Sequence, residues 1–227
     1  MLYLVATPLG NLEDLSIRQA RTLAEADFIL CEDTRSAGFL LKKIPELFTF
    51  VVNPQQKLIS YYREKEFEKL PQVLELLEKE KNIALISESG LPIFSDPGLL
   101  LVQTLIKRNI PFTVIPGATA ATTALILSGL SPYPSLFIGF FPKKESIVIQ
   151  LIQGLKEVKK VLPELSVAFY ESPDRIATTL TLLEKHWPTL RVVIARELTK
   201  KFEEIVRGRP AELLQREYKG ELSVIIQ

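Results

Sequence analysis

The sequence predicts an α/β fold: two small α/β domains with mostly parallel sheets facing a central cleft. Three observations carry this. Short apolar runs alternate with helical patterns along all 227 residues. Several of these runs are apolar at nearly every position, as strands covered on both faces are. Prolines cluster at Pro111, Pro116, Pro132 and Pro134, between two such β/α sets. The expected domains are therefore residues 1–115 and 116–227, with the cleft as the default ligand site.

Eight runs read as strands, in order Tyr3–Ala6, Phe28–Cys31, Ile83–Ser87, Phe112–Ile115, Leu136–Gly139, Val167–Tyr170, Val192–Ala195 and Leu222–Ile226. Helical spacing appears between them. Ile17, Ala20 and Ala24 share a face after the polar start at Asp14 and Ser16, and Leu99, Val102, Leu105 and Ile106 do so after Asp96-Pro97-Gly98. Ser172-Pro173 forms an N-cap and N1 pair ahead of the stripe Ile176, Leu180, Leu183. Strand and helix alternate, hence α/β with mostly parallel pairing.

Composition removes several function classes. One cysteine and one histidine build neither an intramolecular disulfide nor a Cys-type zinc site, and no metal is expected. Cys31 reads as a small core residue and His186 as structural. The ten glycines are never closer than eight positions, so both the G-x-G-x-x-G and the G-x-x-x-x-G-K loops are excluded. Residues 1–115 carry 13 basic and 15 acidic side chains and the remainder 15 and 12, too even a balance for field-driven binding of nucleic acid. The opening apolar run is short for a signal segment and no run reaches about 18 residues, so a cytoplasmic protein without membrane spans is expected.

Candidate chemistry lies in loops that follow strands, where open α/β sheets gather ligands. Ala6–Asn11 contains Pro8 and Gly10 and is either a plain turn or a close approach of backbone to a ligand. Residues 86–98 form a long connection rich in hydroxyls and carboxylates. Within it, Asp96 either caps the next helix or serves a ligand. Val114–Ala120 leads into an Ala/Thr-rich helix, suited to a planar ligand or to tight helix–sheet packing. Glu171, Asp174 and Arg175 crowd one helix start, where a structural role competes with a functional one. Glu32, Asp33 and Arg35 are more polar than a buried strand end requires. Lys143-Lys144 follows Phe140-Phe141-Pro142, an aromatic–basic patch compatible with RNA or with solvated lysines.

In chain order, seven stretches resemble one family: LYLVATPLGNLEDLSIRQARTL, CEDTRSAGFLL, ISESGLPIFSDPG, VIPGATAATTALILSGL, FIGFFPKK, FYESPDRI and ARELTKKFEEIVRG. They are similar to the 16S ribosomal RNA cytidine 2'-O-methyltransferases among the tetrapyrrole-methylase-like (class III) S-adenosylmethionine enzymes. The resemblance implies S-adenosylmethionine as cofactor, a cleft site that dispenses with the glycine fingerprint, a homodimer, and 16S rRNA in the small ribosomal subunit as partner. It places cofactor contacts at Leu9, Glu88, Ile93, Ser95, Thr119 and Ala120, with Tyr170, Ala195 and Arg196 closing the pocket.

Two departures from the family pattern stand out. Ile86-Ser87-Glu88-Ser89-Gly90-Leu91-Pro92 replaces the usual I-S-D-A-G-T-P, which lengthens one carboxylate arm and removes a hydroxyl. The chain also stops at Gln227, where family members often continue into a helical extension. The implied reaction is in-line attack of a ribose 2'-hydroxyl on the sulfonium methyl, driven largely by alignment. Asp33 and Glu171 are the candidate proton acceptors, and Arg35, Arg175, Lys143 and Lys144 the candidate substrate contacts. The alternatives are a methyltransferase of the same fold acting on a small molecule or another RNA site, and a non-catalytic paralogue that binds S-adenosylmethionine.

Overall fold

The computed structural model describes residues 1–227 and divides into two compact units, Met1–Thr119 and Ala120–Gln227. Unit 1 holds a five-stranded sheet in the order β3-β2-β4-β1-β5, built from β1 (Leu2–Val5), β2 (Phe28–Cys31), β3 (Lys57–Ser60), β4 (Ile83–Ile86) and β5 (Phe112–Ile115). Every pairing in it is parallel, so each crossover carries a helix. These are α1 (Ile17–Glu25), α2 (Thr34–Leu47), α3 (Glu66–Glu78) and α4 (Leu99–Lys107). Alternate strand residues enter opposite cores, as the two-residue period of a strand requires. Val5, Ile29 and Cys31 pack with α1 and α2 on one face, and Leu4, Leu30 and Leu85 pack with α3 and α4 on the other.

Unit 2 holds a second sheet in the order β6-β7-β10-β8-β9: β6 (Ser135–Phe140), β7 (Ser166–Glu171), β8 (Val192–Arg196), β9 (Glu204–Gly208) and β10 (Leu222–Ile226). Only β6–β7 is parallel; β10 runs antiparallel to both its neighbours, and β8–β9 is antiparallel. The expectation of mostly parallel sheets thus describes unit 1, while unit 2 is mixed. The physical reason is the seven-residue connection between β8 and β9, too short for a parallel crossover. Helices α6 (Glu145–Val161) and α7 (Pro173–His186) cover one face through a core that includes Phe141, Ile152, Phe169, Leu180 and Ile194. Helix α5 (Ala120–Ser128) covers the other, where buried Ala121 and Ala124 face a sheet surface of small residues such as Ala168, Ala195 and Ser223.

Differences from the sequence expectation are local. β3 and β9 were not among the eight runs because both are edge strands, and their one-sided burial admits Lys57, Glu204 and Arg207. In α1, Ile17 is 61% exposed and the buried stripe is Ala20, Leu23 and Ala24. In α4, Leu99 and Ile106 face outward, and Leu101 with Leu105 forms the buried pair. Ser172 and Pro173 do start α7, although the Ser172 hydroxyl makes no capping bond. No helix is long and apolar enough to cross a membrane.

Candidate functional site

The loops leaving the carboxyl ends of β1, β4 and β5 converge in unit 1. Thr7 and Gly90 exchange backbone hydrogen bonds, Thr7 N donating at 2.9 Å and Gly90 N at 3.2 Å. The Ser89 hydroxyl donates to Leu9 O at 3.2 Å, and Ser87 Oγ to Gly90 O at 2.8 Å. Gly90 has φ +83°, and a Cβ there would stand 3.1 Å from both Ala118 O and a Leu9 methyl. Only glycine satisfies both the dihedral and the close approach.

Gln19 makes the third tie. Its side-chain oxygen accepts from Ser16 N, completing a capping box at the start of α1. Its Nε2 donates to Ala6 O at 2.9 Å and Pro116 O at 3.3 Å, joining the ends of β1 and β5. The S-x-x-Q spacing signals the cap; nothing in the sequence signals the second pair of bonds.

A cavity of about 310 Å³ opens beside this junction. Leu9, Asp33 and Glu88 line it together with Glu32, Phe39 and Ser87. Its carboxylates differ in state. Asp33 N-caps α2, and hydrogen bonds from Arg35 hold its carboxyl below the usual range. Burial, with Glu88 adding, raises Glu32 against the pull of Arg63. The Cys31 thiol, also in the wall, is pushed up to about 12 by burial and by Asp33 and Glu88, so it remains a neutral apolar group.

Beyond the cavity wall, the 90–98 loop is held in an uncommon conformation. Ile93 and Ser95 have φ of 77° and 80°, a left-handed geometry that costs a β-branched residue most. Asp96 does not cap α4. That helix is capped from α3, where Glu66 Oε1 accepts from Gly98, Leu100 and Leu101 N at 3.1–3.3 Å. Asp96 is instead pushed up to about 7, first by burial and then by Glu32. Sequence reasoning gave Asp96 only alternatives and passed over Glu66, whose role depends on a contact 32 residues away in the chain.

The remaining candidates are distributed as follows. Thr119 closes unit 1, its Cα 3.8 Å from the position a Gly90 Cβ would take, and Ala120 begins α5. Arg35 is exposed, pairs back onto Asp33, and does not line the cavity. In unit 2, Tyr170 meets Phe137 and Phe140 edge-on, and Ala195 is buried in β8.

Three charged candidates of unit 2 have partners within the unit. The Glu171 side chain is inaccessible to solvent; it accepts from Ser172 N at 2.8 Å and Thr179 Oγ1 at 2.6 Å and pairs with Arg175 at 3.3 Å. Arg175 also donates to Phe141 O and Pro142 O. Arg196 donates to Lys219 O and Phe202 O. Lys143 and Lys144 stand exposed before α6. No group of three or more His, Cys, Asp or Glu is arranged to hold a metal.

Comparison with known proteins follows the same outline. The profile of the tetrapyrrole (corrin/porphyrin) methylases matches residues 1–214. A ribosomal RNA small subunit methyltransferase I of Streptococcus pyogenes serotype M3 is 42% identical over 229 residues, covering 99% of this chain and 75% of its own length. Proteins of that name from Hydrogenobaculum sp. and Coprothermobacter proteolyticus are 39% and 38% identical, matched over 94% and 97% of their own lengths and over 99% and 100% of this chain. The Streptococcus pyogenes relative is thus longer than the matched region, whereas the other two are matched over nearly their whole lengths. Among solved structures, uroporphyrin-III C-methyltransferase of Thermus thermophilus in complex with S-adenosyl homocysteine superposes with TM-score 0.64 at 18% identity, covering 99% of this chain and 96% of its own. Diphthine synthase does so with 0.69 at 14%, covering 100% and 90%. At such identities the likeness is one of fold.

Proposed function

The chain belongs to the tetrapyrrole (corrin/porphyrin) methylase family, and from that premise we propose that it is an S-adenosylmethionine-dependent methyltransferase modifying a cytidine ribose 2'-hydroxyl of 16S rRNA. The observation that carries the reading is the 42% identity, along 99% of this chain, with a protein named ribosomal RNA small subunit methyltransferase I. The site geometry is compatible with it. Close packing of Gly90 against Ala118 O and the Leu9 side chain brings the loops after β1, β4 and β5 together beside the cavity.

Leu9, Glu88, Ile93, Ser95 and Thr119 hold the cofactor in this reading. When bound, the cofactor supplies an electrophilic methyl group. The chain's own part is to align the attacking hydroxyl and receive its proton. Asp33, whose carboxyl Arg35 holds below the usual range, is the acceptor of that proton in this reading. Glu171 holds the start of α7 and takes no part. Lys143 and Lys144 contact RNA phosphate. The partner is the small ribosomal subunit, the working species a homodimer, and the compartment the cytoplasm.

The test is transfer of labelled methyl to small ribosomal subunits from a strain lacking this protein, followed by nucleoside analysis. One labelled 2'-O-methylcytidine is the expected product. Absence of labelled rRNA with intact calorimetric binding of S-adenosylmethionine refutes the substrate, and absence of binding refutes the activity. Asp33→Asn is expected to lower kcat by about 10²-fold or more.

A further inference from the structure

The wall of the unit 1 cavity is acidic and apolar. Glu32, Asp33 and Glu88 line it, Leu9 and Phe39 supply apolar surface, and no lysine or arginine contributes. Such a wall repels phosphate, so the RNA backbone has no place in it. It suits a flat apolar body with hydrogen-bond donors at its edge, which is the description of a nucleobase carrying an exocyclic amine.

The three carboxylates are not equivalent. Asp33 is engaged by Arg35. Glu88 lies in the β4 loop whose Ser87 and Ser89 are tied to Gly90 and Leu9. Glu32 is half-buried, and its carboxyl makes no ion pair within 4 Å and accepts no hydrogen bond from the protein, while its main-chain oxygen is anchored by Ser60 Oγ. Phe39, two turns along α2, is 58% exposed although it lines the cavity. Lys43 Nζ lies over the ring, 5.7 Å from its centroid, and the exposed part of the ring is open to stacking.

We propose that this cavity receives the target nucleobase, turned out of the RNA strand, with Glu32 reading its exocyclic amine and Phe39 bearing on its ring. This rests on the rRNA methyltransferase reading above. Cytosine fits, since its N4 amine donates to a carboxylate, whereas uracil O4 meets it as a second acceptor.

The experiment measures kcat/KM on undermethylated small subunits and, separately, the calorimetric Kd of S-adenosylmethionine. Glu32→Leu is expected to lower kcat/KM by about 10- to 100-fold, with the cofactor Kd changed by less than about twofold. Glu32→Gln, which keeps one acceptor and one donor, is expected to retain activity within about fivefold of the parent. Phe39→Ala, at an exposed position that does not endanger folding, is expected to lose about tenfold with the same unchanged Kd. If Glu32→Leu and Phe39→Ala weaken cofactor binding as much as they lower kcat/KM, the cavity belongs to the cofactor and the proposal is overturned. Unchanged kcat/KM in both overturns it as well. A parent protein that binds the cofactor but leaves subunits unlabelled refutes the underlying reading, and this assignment falls with it.

Discussion

Glu32 and Glu171 both stand at the ends of apolar central strands, one in each unit, and the fold treats them oppositely. Glu171 is sealed from solvent with a backbone amide, a threonine hydroxyl and an arginine around it. Glu32 and the nearby Asp96 have no such complement, and burial raises both. A carboxylate with filled acceptors is a structural part. A half-buried carboxylate that no protein donor fills is open to a ligand. Unit 1 therefore carries the candidate site, although both units have similar loops at their strand ends.

The largest effect that sharpens this contrast is expected at Glu171. Glu171→Ala leaves the Thr179 hydroxyl, Ser172 N and Arg175 without their acceptor, and unfolding in urea should show a loss of about 3 kcal/mol. Methyl transfer by the remaining folded protein should be unaltered; a specific loss of kcat would restore Glu171 as a proton acceptor. Next comes Gln19→Leu, which orphans Ala6 O and Pro116 O in unit 1 and should cost about 2 kcal/mol. Here cofactor Kd should also rise, because the joined loops come apart, whereas a stability loss with Kd unchanged would detach the 116–119 loop from the cofactor.

A third test uses pH. Asp96 holds its proton up to about 7 in the folded chain but releases it near 4 when unfolded. The native state then binds more protons through that window, so stability falls as pH rises from about 4 to about 7. Asp96→Asn should flatten that part of the urea-midpoint profile, and an unchanged slope would contradict the raised value. The smallest effect is expected at Arg35, whose pairing with Asp33 is exposed. Arg35→Ala should leave the midpoint unchanged, and a measurable drop would give that pair a structural role.

Much of unit 1 and the central strands of unit 2 are legible in the sequence, because a strand buried on both faces has to be apolar throughout, as Ile83–Ile86 and Val192–Ala195 are. Edge strands such as Glu204–Gly208 escape that rule, and missing β9 is what hid the antiparallel half of the second sheet. The candidate site was legible as loops. Leu9, Asp33 and Glu88 do line one cavity, but Arg175 and Arg196 proved committed to backbone carbonyls that no spacing announces.

By itself, then, the sequence determined the α/β class, the absence of a glycine-rich nucleotide loop, and the motifs that place the chain in its family, because these depend on residue type and local period. Which carboxylates are filled and which stand open was decided only by tertiary structure. Glu66, and not Asp96, accepts from the first amides of α4, and Glu171 at the end of β7 is satisfied because Thr179 of α7 lies within reach. Hydrogen-bond partners of that kind are set by distances in space, which neighbours in sequence do not specify.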